Sequence, residues 1–186
     1  MEKKTKQKKA KAVQTAIPLT GKGVEEIRIP AIDEAVDALV ATVRAGRRIE
    51  FHGVGNSGIV ALDGQHKFFR FRIPTALYGD SHLFSLAADL LGPGDVVVAI
   101  SNSGRLPELL SAVDKARAAG ADVIAISSSQ SPLARRASVV LAVDHPEDNT
   151  SFLSMISRVL QLLLIDIMAV GVSVDVHHAR ASSSVS

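Results

Sequence analysis

Three short turns hold the residues that could do chemistry. They are Gly53-Val54-Gly55-Asn56-Ser57-Gly58, Ser101-Asn102-Ser103-Gly104-Arg105 and Ser127-Ser128-Ser129-Gln130-Ser131. Each is small, rich in hydroxyl or amide groups, and leads towards a helical pattern. Glycine lets the backbone approach a ligand closely and adopt positive φ. A helix start offers unpaired N–H groups and a partial positive charge. Serine hydroxyls both donate and accept. Together these groups suit a phosphate or a dense set of hydroxyls, with few fixed charges.

A plainer reading competes. Serine and asparagine are favoured helix N-caps whether or not a ligand exists. One such turn alone reads as a cap. Two turns behind neighbouring strands point to a phosphate-bearing ligand. The third turn, Ser127–Ser131, reads equally well as a loop.

Other chemistries find less support. Gly53, Gly55 and Gly58 satisfy G-x-G-x-x-G, and Asp80 follows Gly58 by 22 residues. That is the nominal dinucleotide fingerprint. Yet Gly79-Asp80-Ser81 also reads as a helix N-cap, and a pyrophosphate cradle needs no second serine turn. No G-x-x-x-x-G-K-[ST] occurs, and no G-x-S-x-G elbow. His52, His66, His82, His145, His177 and His178 are scattered, so no metal set is expected. With no cysteine, disulfides and cysteine-zinc sites are excluded. Nothing in the sequence requires a cofactor.

The elements that must hold these turns alternate along the chain. Apolar runs occupy Arg48–Val54, Thr75–Tyr78, Asp95–Ile100, Asp122–Ile126 and Val139–Val143. Helical patterns occupy Gly58–Arg72, Ser81–Leu91, Arg105–Ala119 and Pro132–Ala137. Runs such as Val96–Ile100 are apolar on both faces, as a strand covered on both sides requires. The alternation predicts a doubly wound α/β domain with a parallel sheet. Ligands in such sheets bind beyond the carboxyl ends of the strands. A further helix starts at Pro30, turns one face of Ile32, Val36, Leu39, Val40 and Val43 inward, and ends at Gly46.

The segment Ser151–Val174 is apolar on nearly every side, and such a helix must be buried all round. In a 186-residue chain another subunit is the simplest cover. A homo-oligomer through this helix is therefore expected, with Ile32–Val43 as a second candidate strip. Its longest apolar stretch, Val159–Val172, has 14 residues and contains Gln161 and Asp166. A bilayer span needs about 20, so no membrane partner is expected.

The net charge of +2 conceals two regions. Residues 1–12 hold six lysines and one glutamate, and the remaining 174 residues carry −3. The sequence thus predicts a disordered basic tail and linker at 1–23, a folded domain at 24–176 and a disordered tail at 177–186. No apolar segment follows the first lysines as a secretory signal would require, so a cytoplasmic setting is expected.

The first two serine turns, about 45 residues apart, resemble the sugar isomerase (SIS) domain family. That resemblance implies a three-layer αβα sandwich, flavodoxin-like, with a five-stranded parallel sheet and a phosphosugar ligand. The stretches Gly55–Pro74, Leu91–Leu110 and Pro146–Gly171 resemble the effector domain of RpiR-type transcriptional regulators, and within these the HexR subgroup. This implies a sensor of 2-keto-3-deoxy-6-phosphogluconate or a related sugar phosphate. By the same resemblance Asn56, Ser57, Ser101 and Ser103 would hold the ligand, while Gly55, Gly58, Asn102 and Gly104 would shape the turns. The family's usual threonine is replaced by Leu106, which has no hydroxyl to offer phosphate. The helix-turn-helix through which such regulators bind DNA has no counterpart in residues 1–30.

An aldose–ketose isomerase of the same family needs a general base and acid. Such isomerases place a glutamate just after the S-x-S-G turn, where this sequence has Arg105. Glu108 and His66 are the candidate proton carriers, with His82 as a third. Arg105 suits a sensor better, because it pairs with phosphate or carboxylate without proton chemistry.

Overall fold

The computed structural model describes residues 30–144 and 155–183. Five parallel strands form one sheet: β1 (Ile49–His52), β2 (Thr75–Tyr78), β3 (Val96–Ile100), β4 (Asp122–Ser127) and β5 (Val139–Ala142). Their order is β2-β1-β3-β4-β5. The order reverses between β1 and β3, and that is where a flavodoxin-like sheet opens its ligand crevice. In register, Ile49 faces Val96 and His52 faces Ala99.

Alternation along the strands splits the core in two. Ile49, Phe51, Val98, Ile100, Ile124 and Ile126 point to one side, under α1 (Pro30–Arg44) and α2 (Asn56–Phe68). Val97, Ala99, Val123 and Ala125 point to the other, under α3 (Ser81–Ala88) and α4 (Pro107–Ala118). Every residue of β3 is buried, as its two-faced apolar run predicts. Each large aliphatic so buried stabilises the fold by about 1.5–3 kcal/mol. Asp95 ties the entrance of β3 to the loop before β1. It accepts hydrogen bonds from the Arg48 and Gly92 backbone N–H groups at 3.0 and 2.9 Å.

The last helix, α5 (Met155–Ser183), packs chiefly on α1 and α2 and so forms an outer tier. Ile165, Met168 and Val172 are its fully buried stripe. Ile156, Val159, Leu160, Leu163 and Val170 remain exposed on its outer side.

Four expectations are corrected here. The Pro132–Ala137 pattern yields only a 3-10 turn at Ala134–Arg136, because its six residues are too few for a stable helix. The strip Ile32–Val43 cannot face another subunit, since Ile32, Val36, Leu39 and Val40 are buried in this chain's own core. Residues 177–183 continue α5 rather than forming a loose tail, because His177 to Ala181 includes no helix breaker and two alanines. Finally, Ile156–His177 is 22 residues long and apolar enough to cross a bilayer, so the 14-residue stretch understates this helix. Its stripe Ile165, Met168 and Val172 is enclosed by this chain, but only 28% of the apolar window is buried. The basic segment 1–23 and His145 lie outside the described residues.

Candidate functional site

The first two serine turns leave adjacent strands at the same edge of the sheet. Gly53 follows β1 directly, and Ser101 follows β3 directly. Neighbouring strands lie about 4.8 Å apart, so the two turns stand side by side at the carboxyl ends of the strands. The helices behind them start without side-chain caps. Gly55 is the N-cap residue of α2 and Leu106 that of α4, and neither start receives a side-chain hydrogen bond. Capping therefore does not explain the serines of these turns. The helix α3 makes the contrast: Asp80 Oδ1 accepts the His82 N–H at 2.9 Å. That bond also accounts for Asp80 as a cap rather than a ribose ligand.

Leu106 at the start of α4 has a physical consequence. Pro107 forces the residue before it into extended backbone, and Leu106 sits at φ −65, ψ 115. Pro107 has no N–H, and the Leu110 N–H reaches Leu106 O at 3.1 Å. A threonine at Leu106 could cap this turn. Leucine leaves the Glu108 and Leu109 N–H groups without a capping hydroxyl, and the apolar side chain packs into the α3–α4 core instead.

Each candidate residue has a definite place. Asn56 and Ser103 are exposed, and Ser57, Ser101 and Asn102 are half-buried. Ser101 Oγ accepts the Gly104 N–H at 3.1 Å, which shapes its turn and leaves the hydroxyl proton to donate elsewhere. Asn102 holds the β4 loop, its carbonyl accepting the Ser128 N–H at 3.2 Å, while its side-chain Oδ1 is buried without a partner. Arg105 is exposed and has no carboxylate partner among the described residues. Gly55 sits at φ +58, a conformation open to glycine and costly to other residues.

Gly104 also needs to be glycine. It lies at φ +56, and a Cβ there would come within 2.6 Å of Ser131 Cβ and 2.7 Å of Ser127 Oγ. Those two hydroxyls are buried and lie 2.9 Å apart, and Ser131 Oγ also accepts the Ala134 N–H at 3.0 Å. So Ser127 and Ser131 in the third turn form the floor under the second. Gly104→Ala is expected to lose about 2–4 kcal/mol, from the positive φ and from overpacking. Urea denaturation checks this, and an unchanged midpoint would contradict the packing described.

The proton carriers separate. Glu108 is exposed in the first turn of α4, beside the Ser103 turn. His66 is ten residues along α2 from Asn56, roughly 15 Å down the helix and towards the other sheet edge. His82 is exposed at the start of α3, behind the neighbouring strand β2.

The sequence reading missed a buried ionisable pair beneath the first turn. Glu50 and His52 are fully buried, with Glu50 Oε2 and His52 Nε2 3.0 Å apart. Arg48 Nη1 reaches the same carboxylate at 3.4 Å. His52 stacks on Phe84 and meets the Tyr78 ring edge-on. Burial, then the Glu50 charge, hold the Tyr78 phenol above its ordinary pKa. The signal was legible: polar residues at 48, 50 and 52 share one face of a strand.

Comparison with known proteins agrees with this geometry. A family model described as "SIS domain" matches residues 43–171. The chain is 57% identical over 141 residues to the bifunctional protein glk of Burkholderia orbicola, covering 76% of this chain and 22% of that protein. It is 40% identical over 142 residues to the HTH-type transcriptional regulator HexR of Pseudomonas aeruginosa, covering 76% of this chain and 48% of that one. The Vibrio vulnificus NanR protein complexed with ManNAc-6P superposes with a TM-score of 0.70 at 25% identity, over 80% of this chain and 57% of that one. The chain thus spans about a fifth to a half of the length of these curated relatives. With its reversed strand order, its paired serine turns and a family match across most of its length, the chain belongs to the SIS domain family.

Proposed function

We propose that this chain is the phosphosugar-binding effector domain of an RpiR/HexR-type regulator of sugar catabolism. The observation that carries the reading is the pair of uncapped helix starts, α2 and α4, behind serine turns on adjacent strands. Two partial positive ends lie side by side there, and among the described residues the Ser57 and Ser103 hydroxyls and the Arg105 guanidinium have no side-chain partner. The ligand we propose is 2-keto-3-deoxy-6-phosphogluconate or a related sugar phosphate. DNA would be reached only through a helix-turn-helix elsewhere in a longer protein. The similarity to glk and HexR, each longer than this chain, supports a module of this kind. We place its action in the cytoplasm, where phosphorylated sugars are held.

A thermal-shift screen of phosphorylated metabolites tests the reading. A ligand that binds only the folded state raises Tm by mass action. Silence across sugar phosphates and sugar-acid phosphates would end it. One observation favours a second reading, a stand-alone phosphohexuloisomerase-like enzyme: Glu108 stands exposed beside the Ser103 turn. Incubation with fructose 6-phosphate, followed by NMR, separates the two. Product above background establishes the isomerase, and its absence supports the sensor.

We further propose that a second copy covers the outer face of α5. Ile156, Val159, Leu160 and Leu163 lie on one side of that helix, and Ile59 and Leu62 of the neighbouring α2 are exposed as well. Paired with its copy, this face would make a four-helix contact of the usual bundle kind. Light scattering is expected to give a mass of at least twice 19.6 kDa, and Leu163→Glu to return it to the monomer. A wild-type monomer, or association only with added lipid vesicles, would refute the second copy.

A further inference from the structure

We infer that the chain carries a second anion site, at the sheet edge opposite the serine turns, for a small molecule with an oxyanion head and an apolar body. The site is a cavity of about 550 Å³ between the end of α2, the 3-10 turn Phe69–Phe71 and the later turns of α5. That volume falls within the range of small-molecule pockets. It is not an extension of the first site, because Lys67 is roughly 16 Å along α2 from Asn56.

The lining divides by chemistry. Phe71, Ala169, Val170 and Val176 supply apolar surface. Lys67, Arg70 and Arg72 supply positive charge, and Asp166 is the sole acidic group of the lining. Lys67 is already engaged, 2.6 Å from Asp63 and 2.5 Å from Asp166. Burial opposes its charge, but the hydrogen bonds it donates to Asp166 and Asp63 prevail and raise its pKa. Its charge is thus matched within the wall, and Asp166 is matched by it.

Arg70 and Arg72 differ from Lys67. Among the described residues neither has a carboxylate within ion-pair distance. Arg72 also lies at φ 61, the one non-glycine residue at positive φ among those described. L-residues adopt that backbone at a cost. Two guanidiniums two positions apart can grip a planar or tetrahedral oxyanion through paired N–H bonds. The apolar wall then selects against bare inorganic anions and strongly hydroxylated sugars. The chemistry that fits is an aryl or branched acyl group bearing a carboxylate or a phosphate.

NMR titration of the whole labelled chain tests this site independently of the sugar-binding reading. The probes are phenyl phosphate, phenylacetate and inorganic phosphate. Phenyl phosphate or phenylacetate is expected to shift the Ala169, Val170 and Ser173 amides saturably. Inorganic phosphate is expected to bind there at least tenfold more weakly. Whichever aryl probe binds tighter identifies the head group. The double variant Arg70→Gln/Arg72→Gln is expected to weaken the aryl probe at least tenfold, while Ser103→Ala leaves it unchanged. The site is refuted if these amides do not saturate, if inorganic phosphate binds as well as the aryl anions, or if the double variant binds like the wild type.

Discussion

Glu50→Ala is expected to lower stability by about 2–4 kcal/mol, from leaving the buried His52 ring unpaired and from the cavity left by the side chain. Glu50 is wholly enclosed and meets both His52 and Arg48 on one strand face. Its loss leaves the buried His52 ring with no partner at Nε2, while Nδ1 already has none. An orphaned buried polar group bears its full desolvation cost. Chemical denaturation measures the loss. The double variant Glu50→Leu/His52→Phe removes both polar groups and fills the space with apolar volume, so it is expected to recover most of the stability. If the double variant is as unstable as the single one, the loss comes from packing and not from an unpaired polar group. The pair matters to the site because His52 is the last residue of β1 and Gly53 opens the first turn.

Ser57→Ala and Ser103→Ala are each expected to weaken sugar phosphate binding about 10- to 150-fold. A hydrogen bond to a charged group is worth about 1.5–3 kcal/mol, and each 1.4 kcal/mol is tenfold. Neither hydroxyl holds the fold together: Ser103 is exposed, and Ser57 bonds to the chain through its backbone, its N–H reaching Val54 O at 3.1 Å. The variants should therefore melt like the wild type without ligand and show a reduced rise in Tm with it. Calorimetric titration with 2-keto-3-deoxy-6-phosphogluconate gives the affinity directly. Full retention of affinity in either variant would move the site elsewhere. Ser101→Ala should differ from both, because Ser101 Oγ accepts the Gly104 N–H and its loss disturbs the turn as well.

The fold was readable because strand and helix alternate with distinct periods, and because β3 is apolar on both faces. The two turns were readable from glycine, serine and asparagine at strand ends. Three things were not. The sequence could not show whether these serines cap their helices, since a capping serine stands at the same place, and only the structure shows that the starts at Gly55 and Leu106 carry no side-chain cap. His66 looked available because helix membership says nothing of which end of the helix faces the crevice. The triplet Arg48, Glu50 and His52 was passed over as part of an apolar run, although its spacing of two places it on a single strand face.

The outermost position of α5 has a consequence for how such domains diversify. Substitutions along its outer side can change which surface the chain presents, yet the strand ends that carry the serine turns keep their spacing, since the sheet rests mainly on other helices. Under the functions proposed above, metabolite recognition and quaternary architecture would therefore be free to drift separately within one lineage.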